Sequence, residues 1–260
     1  MAGNVWTALL LSALAGLATT IGSVFGLIVT RPSRRLLAFL LGFAAGVMTL
    51  VSFVELLNQG IETLTEVDPQ MGFMYANFAF IGGILTFFAL DVVLPHDYEG
   101  EHDHPDSLKG SALERTGVLT ALGIGLHNFP EGIITFVGAL HSMELGVVLA
   151  VAIALHNIPE GLAVSAPIYA ATGSRKKAFW WSFLSGVSEP VGAILAALVL
   201  RPFLTPGVMG VVLAVVGGVM VGISLDELIP SAKNLDHSNV PVLGVALGML
   251  VMALSLWMLK

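Results

Sequence analysis

Residues 118–132 read VLTALGIGLHNFPEG, and residues 145–161 read LGVVLAVAIALHNIPEG. Each apolar run meets the same polar word: His127-Asn128-Phe129-Pro130-Glu131-Gly132 in one, His156-Asn157-Ile158-Pro159-Glu160-Gly161 in the other. A helix that crosses a bilayer needs roughly 20 mostly apolar residues. An ionisable group inside such a helix is costly, and as a rule it faces a cavity or a partner. The two words therefore predict two membrane helices that share a buried polar site. Consecutive spans run in opposite directions, so the copies can face each other near mid-membrane about a pseudo-two-fold axis. Transporters with a central site are commonly built this way.

The rest of the chain agrees with a membrane reading. Of 260 residues, 56% are hydrophobic and only 11% charged, and mean hydropathy is +0.89. Soluble domains carry about 25% charged residues, so this chain cannot cover a water-facing surface. Eight segments are long and apolar enough to span, at 4–29, 36–58, 73–94, 116–140, 144–171, 178–200, 206–230 and 240–259. The expected fold is an all-α integral membrane protein of eight transmembrane helices, a single transporter domain over 1–260. A polar loop at 95–115 is the one long connection. Ala13-Leu14-Ala15 has the look of a signal-peptidase site. No Lys or Arg precedes it and the apolar run continues to Val29, so the segment reads as a retained first span. Net charge is −7 and no basic stripe exists, which leaves nucleic-acid binding without support. With no cysteine, disulfides, thiolate metal sites and cysteine nucleophiles are excluded.

Lys and Arg placement sets the orientation. Arg31, Arg34 and Arg35 lie in loop 1–2, Lys109 and Arg115 in loop 3–4, Arg175, Lys176 and Lys177 in loop 5–6, and Lys233 in loop 7–8. Only Arg201 and Lys260 fall on the other side. Both termini are expected outside the cytoplasm, and the 95–115 loop inside it.

Residues three and four apart share a helix face. His127 and Asn128 thus reach Glu131, and His156 and Asn157 reach Glu160. Each proline removes a backbone N–H and bends its helix, so Pro130 frees the carbonyl of Leu126 and Pro159 that of Leu155. Imidazole suits zinc, iron, copper and nickel, and carboxylate and amide oxygens also admit manganese. One buried His–Glu pair could equally be a structural ion pair or a proton relay. Two copies with Pro and Gly in register point to a site for a divalent cation, whose charge two carboxylates offset.

Other spans add polar groups. Span 6 carries Ser185, Ser188, Glu189 and Pro190, again a mid-membrane glutamate beside a proline. Span 2 carries Met48, Ser52 and Glu55 on one face. Met48 reads either as a gap-filling core residue or as a soft ligand, and Glu55 either attracts cations at the outer end or is merely solvated. Asp226 and Glu227, near the inner end of span 7, form a possible stepping stone towards the cytoplasm. His96, His102 and His104 stand among five acidic residues of the cytoplasmic loop, a composition that reads as an accessory metal-binding or regulatory segment or as a solvated linker. Asp91, His141 and His237 receive no role. Small residues four apart (Gly22/Gly26, Gly42/Gly46, Gly218/Gly222, Gly244/Gly248) allow close helix packing.

The paired words resemble the signature motifs of the ZIP family of divalent-metal transporters. Arg34-Arg35-Leu36-Leu37-Ala38-Phe39, Gly42-Phe43-Ala44-Ala45-Gly46, Ala170-Ala171-Thr172-Gly173-Ser174 and Asp226-Glu227-Leu228 are similar to its bacterial ZupT branch. The resemblance covers essentially the whole chain. It implies metal import across a bacterial inner membrane, homodimers, and a bundle of spans 1, 4, 5 and 6 sliding against spans 2, 3, 7 and 8. It also implies a two-metal centre between spans 4, 5 and 6. His127, Glu131 and Glu160 would form one position, with Met48 as a further ligand. Asn128, Glu131, Asn157, Glu160 and Glu189 would form the other. Some relatives have an acidic residue where this chain has Asn157, which makes the second position less anionic here.

The expected function is uptake of divalent transition metals by alternating access. Zinc comes first, with iron, manganese, cobalt and cadmium as further substrates and no prosthetic group. An intramembrane metal-dependent hydrolase would use similar ligands to activate water, but it would be expected to carry HExxH or another open three-ligand site. No HExxH occurs. A metal-gated channel is the other alternative.

Overall fold

A computed structural model describes residues 4–28, 33–93, 110–203 and 205–259. His96, His102 and His104 lie outside these residues. Among the described residues the chain is entirely helical: α1 (Val5–Ile28), α2 (Arg34–Val51), α3 (Leu57–Val67), α4 (Gly72–Val93), α5 (Gly110–His141), α6 (Met143–Thr172), α7 (Arg175–Leu195), α8 (Pro206–Ile223), α9 (Ile229–Leu235) and α10 (Val240–Leu259). Seven helical stretches are long and apolar enough to cross a membrane. Three of these run through more than one element: Arg34–Val67, Arg175–Phe203 and Pro206–Leu235. The remaining expected span, 116–140, lies within the 32-residue helix α5.

Local chemistry sets the helix ends. Ser33, Ser142, Ser174 and Thr205 each accept a hydrogen bond from a first-turn N–H of the following helix, at 3.1–3.3 Å, which satisfies one of the donors a helix start leaves open. Gly173, at φ +63°, closes α6 in the left-handed conformation that glycine adopts without a Cβ clash. On one side of the bundle Arg35 reaches Asp236 at 3.9 Å. Hydrogen bonds from the Ser238 side chain and N–H, then the Arg35 charge, hold that carboxyl below its usual range.

Two interruptions were not expected from the sequence. Ser52–Leu56 joins α2 to α3, and Ser224–Leu228 joins α8 to α9, and both are π-helical. Such π segments are rare and frequently mark functional sites. These two align residue for residue: Val47-Met48 with Val219-Met220, Ser52 with Ser224, and Glu55-Leu56 with Glu227-Leu228. In both, the serine hydroxyl donates back to the methionine carbonyl, at 2.7 and 2.8 Å. A third π segment, Ala196–Leu200, follows α7.

The alignment extends to the packing. Exchanging α1 with α7, α2 with α8, α3 with α9, α4 with α10 and α5 with α6 carries the principal packing pairs onto one another. Thus α2 packs on α10 as α8 packs on α4, and α1 packs on α6 as α7 packs on α5. Glycine makes these approaches possible. A Cβ on Gly46 or Gly248 would sit 2.1 Å from the Val245 or Phe43 carbonyl oxygen, and one on Gly218 would sit 1.9 Å from that of Phe80. At the centre, α1 and α7 cross with Gly16 and Gly186 facing each other, each Cβ position 2.5 Å from the other residue's carbonyl oxygen.

Candidate metal centre

The HNxPEG words lie in the middle of α5 and α6, and both helices continue through their prolines. The glycine that ends each word sets how closely the next helix approaches. A Cβ on Gly132 would lie 1.8 Å from the Glu189 carbonyl oxygen on α7, and one on Gly161 would lie 1.9 Å from the Thr19 carbonyl oxygen on α1. The asparagines repeat the relation. Asn128 Nδ2 donates to the Ser185 carbonyl on α7 at 3.2 Å, and Asn157 Nδ2 donates to the Ala15 carbonyl on α1 at 3.0 Å.

This arrangement brings most of the expected residues together. Asn128, Glu131, His156, Asn157, Glu160 and Glu189 are all fully buried. Glu131 pairs across the copies: its Oε1 lies 3.1 Å from Nε2 of His156. Spacing reports which residues share a face of one helix, and not which helix that face meets, so this contact across the copies was outside its reach. Asn157 also donates to Oε1 of Glu189, and Glu189 lies within electrostatic reach of Glu131 and Glu160. The side chain of His127 lies outside the described residues, although its backbone belongs to α5. Among the described residues, no three His, Asp or Glu side chains already converge as a preformed metal site.

The donor set nevertheless has spare capacity. Among the described residues, Asn128 Oδ1, Glu131 Oε2, Asn157 Oδ1 and Glu189 Oε2 are buried without a hydrogen-bond partner. Buried polar atoms are normally satisfied, and an uncompensated buried charge is expensive. Four unsatisfied acceptors, two of them carboxylate oxygens of Glu131 and Glu189, favour a cation.

The outlying residues fall into place unequally. Ser185 is buried beside the cluster, its carbonyl held by Asn128 and its hydroxyl donating to the Ser182 carbonyl at 2.8 Å. Met48 is fully buried in the main apolar core. Ser52 and Glu55 occupy the first π segment, and Asp226 and Glu227 the matching one. Glu55 lines a cavity of about 130 Å³ with Gln59, Ser142, Glu144, Leu145, Val148 and Leu256. Sequence reading passed over Glu144 and Gln59, since a glutamate in the first turn of α6 is an ordinary helix-start residue.

Comparison with known proteins settles the family. The model of the ZIP zinc transporters matches residues 6–115 and 95–256. This chain belongs to the ZIP family. Among its relatives is the zinc transporter ZupT of Chlorobium phaeovibrioides, 51% identical over 98% of this ZIP chain and 99% of the relative. Those of Enterobacter sp. (strain 638) and Salmonella paratyphi A are 47% and 48% identical, each over 97% of this chain and 96% of the relative. With its long apolar helices, this ZIP chain is a multi-pass membrane protein.

Proposed function

We infer that this ZIP chain is a transporter, not an enzyme, and that it carries divalent transition-metal ions into the cytoplasm, zinc first and iron, manganese and cobalt after it. One observation carries the reading: three carboxylates, Glu131, Glu160 and Glu189, are fully buried in the membrane helices α5, α6 and α7 together with His156 and two asparagines, Glu131 against His156 and Glu189 against Asn157. A site with this much negative charge and so many unsatisfied oxygens suits a dehydrated divalent cation. The zinc transporters named above, similar over nearly their whole length, support the same substrate.

In this reading residues 1–260 form one domain of eight spans, α5 supplying the eighth, with both termini outside. The Arg35–Asp236 contact supports it by placing loops 1–2 and 7–8 on one side. The cavity shared by Glu55 and Ser142 supports it by placing the ends of span 2 and loop 4–5 on the other. The cation passes Glu55 and Ser52, meets His127, Asn128, Glu131, His156, Asn157, Glu160 and Glu189, and leaves past Asp226 and Glu227. Met48 and Ser185 border the route, the centre holds up to two ions, and the working unit is a homodimer. Reconstitution into liposomes tests the reading. Zinc uptake should saturate, with no hydrolysis of peptide or lipid. Non-saturating flux would point to a channel, and hydrolysis to an enzyme.

Two variants probe the division of labour. His127→Ala should weaken zinc uptake more than manganese uptake, because imidazole favours zinc. Equal loss of both, measured as initial rates in the same vesicles, would make His127 a structural residue. Replacing His96, His102 and His104 together with alanine should keep the initial zinc uptake rate within about threefold of wild type, since a polar loop with Gly and Pro holds metal only loosely. A chelator inside the vesicles isolates uptake from retention, and complete loss there would make the loop part of the conduction path.

A further inference from the structure

The pseudo-two-fold relation assigns counterparts across the centre, and one pair sets an ionisable group against a neutral one. Asn128 bonds Ser185 on α7 and Asn157 bonds Ala15 on α1, so Ser185 corresponds to Ala15. Gly132 abuts the Glu189 carbonyl and Gly161 the Thr19 carbonyl, so Glu189 corresponds to Thr19. Gly192 abuts the Phe129 carbonyl and Gly22 the Ile158 carbonyl, which fixes the same register one turn on. Where α7 offers a carboxylate, α1 therefore offers a hydroxyl.

The two side chains flank one helix crossing. Glu189 Cβ lies 3.3 Å from the Cβ position of Gly16 on α1, and Thr19 Oγ1 lies 3.3 Å from that of Gly186 on α7. Asn157 joins both helices, through Ala15 on α1 and Glu189 on α7. The turn that holds Thr19 is pinned next to Glu160, because Ser182 Oγ donates to the carbonyls of Gly161 at 3.2 Å and Thr19 at 3.4 Å. Thr19 is fully buried. A threonine inside a helix commonly donates to the carbonyl one turn back, but among the described residues Thr19 Oγ1 has no partner. A buried hydroxyl left open in the counterpart position of a glutamate calls for a ligand.

We propose that Thr19 is a further residue of the cation centre, supplying a neutral oxygen to the bound ion, directly or through one water. The proposal rests on the reading of α5, α6 and α7 as that centre. Its chemical sense lies in charge. A carboxylate at this place would add a fourth negative group to Glu131, Glu160 and Glu189 and retain a divalent ion. A hydroxyl completes coordination without doing so.

The test compares Thr19→Val, which keeps shape and removes the oxygen, with Thr19→Ser, which keeps the oxygen. Zinc binding to the purified protein and zinc uptake in liposomes are both measured, with Glu160→Ala alongside. Loss of one neutral polar contact should raise the zinc Kd and KM about five- to tenfold in Thr19→Val. Maximal rate and thermal midpoint should stay close to wild type, and Thr19→Ser should recover most of the affinity. Should the valine variant fail to fold, Thr19→Ala against Thr19→Ser carries the same comparison. Unchanged affinity in Thr19→Val with lost binding in Glu160→Ala would overturn the role of Thr19 alone. Unchanged binding in both would overturn the centre itself.

Discussion

Glu160→Ala is expected to abolish zinc uptake while the protein still folds and inserts. Glu160 is fully buried, and it belongs to the proposed centre with Glu131, Glu189 and His156. Truncating one partner of a buried, hydrogen-bonded charge pair costs a complex about 2–5 kcal/mol, which is roughly one and a half to three and a half powers of ten in affinity. Taking one carboxylate from a buried group of three should not harm the empty fold. Uptake into liposomes should fall to the level of protein-free vesicles, and the thermal midpoint in detergent should match or exceed wild type. Wild-type uptake in this variant would remove Glu160 from the site.

Gly161→Ala should act on the fold rather than the chemistry. The added Cβ would lie 1.9 Å from the Thr19 carbonyl oxygen, 2.8 Å from its carbon and 3.1 Å from the Ser23 nitrogen, all backbone atoms of α1. Backbone cannot yield as a flexible side chain does, so α1 and α6 must separate. Overpacking a well-packed interior costs about 1–3 kcal/mol, occasionally more, and the site would open with it. A clear fall in thermal midpoint and loss of uptake are expected. Gly82→Ala is the control. No atom lies within 4 Å of its Cβ position, and alanine favours helix by about 1 kcal/mol, so it should be neutral or mildly stabilising. Equal stability of Gly161→Ala and wild type would mean that the helices do not pack this closely.

The candidate site was legible in the sequence because its chemistry repeats. Two HNxPEG words and the Glu189-Pro190 pair stand out against apolar helices, and the structure buries Asn128, Glu131, His156, Asn157, Glu160 and Glu189, with Glu131 against His156 and Asn157 against Glu189. The glycine spacings were visible too, and Gly22, Gly42, Gly46, Gly218, Gly244 and Gly248 do sit where neighbouring backbones approach. Other features had no signal that periodicity can carry. A π segment adds one residue to a turn, and α2 and α8, which precede the two segments, carry too few polar residues to show that shift. The likeness of residues 47–56 to residues 219–228 would have marked both segments, had the two been aligned. Pairing of Glu131 with His156 depends on which helix a face meets, and spacing within one helix cannot supply that. Thr19 was hidden because it is one of several hydroxyls along α1, with Thr7, Ser12, Thr20 and Ser23, and only its counterpart across the pseudo-two-fold sets it apart.

Locating the bound ion tests the central claim most directly. Crystals of the purified protein equilibrated with zinc should show an anomalous signal between α5, α6 and α7. Zinc should lie within about 2.0–2.2 Å of carboxylate oxygen and imidazole nitrogen, with Glu160 among its ligands. Zinc confined to surface residues or to the 95–115 loop, with the buried carboxylates unoccupied, would contradict the account.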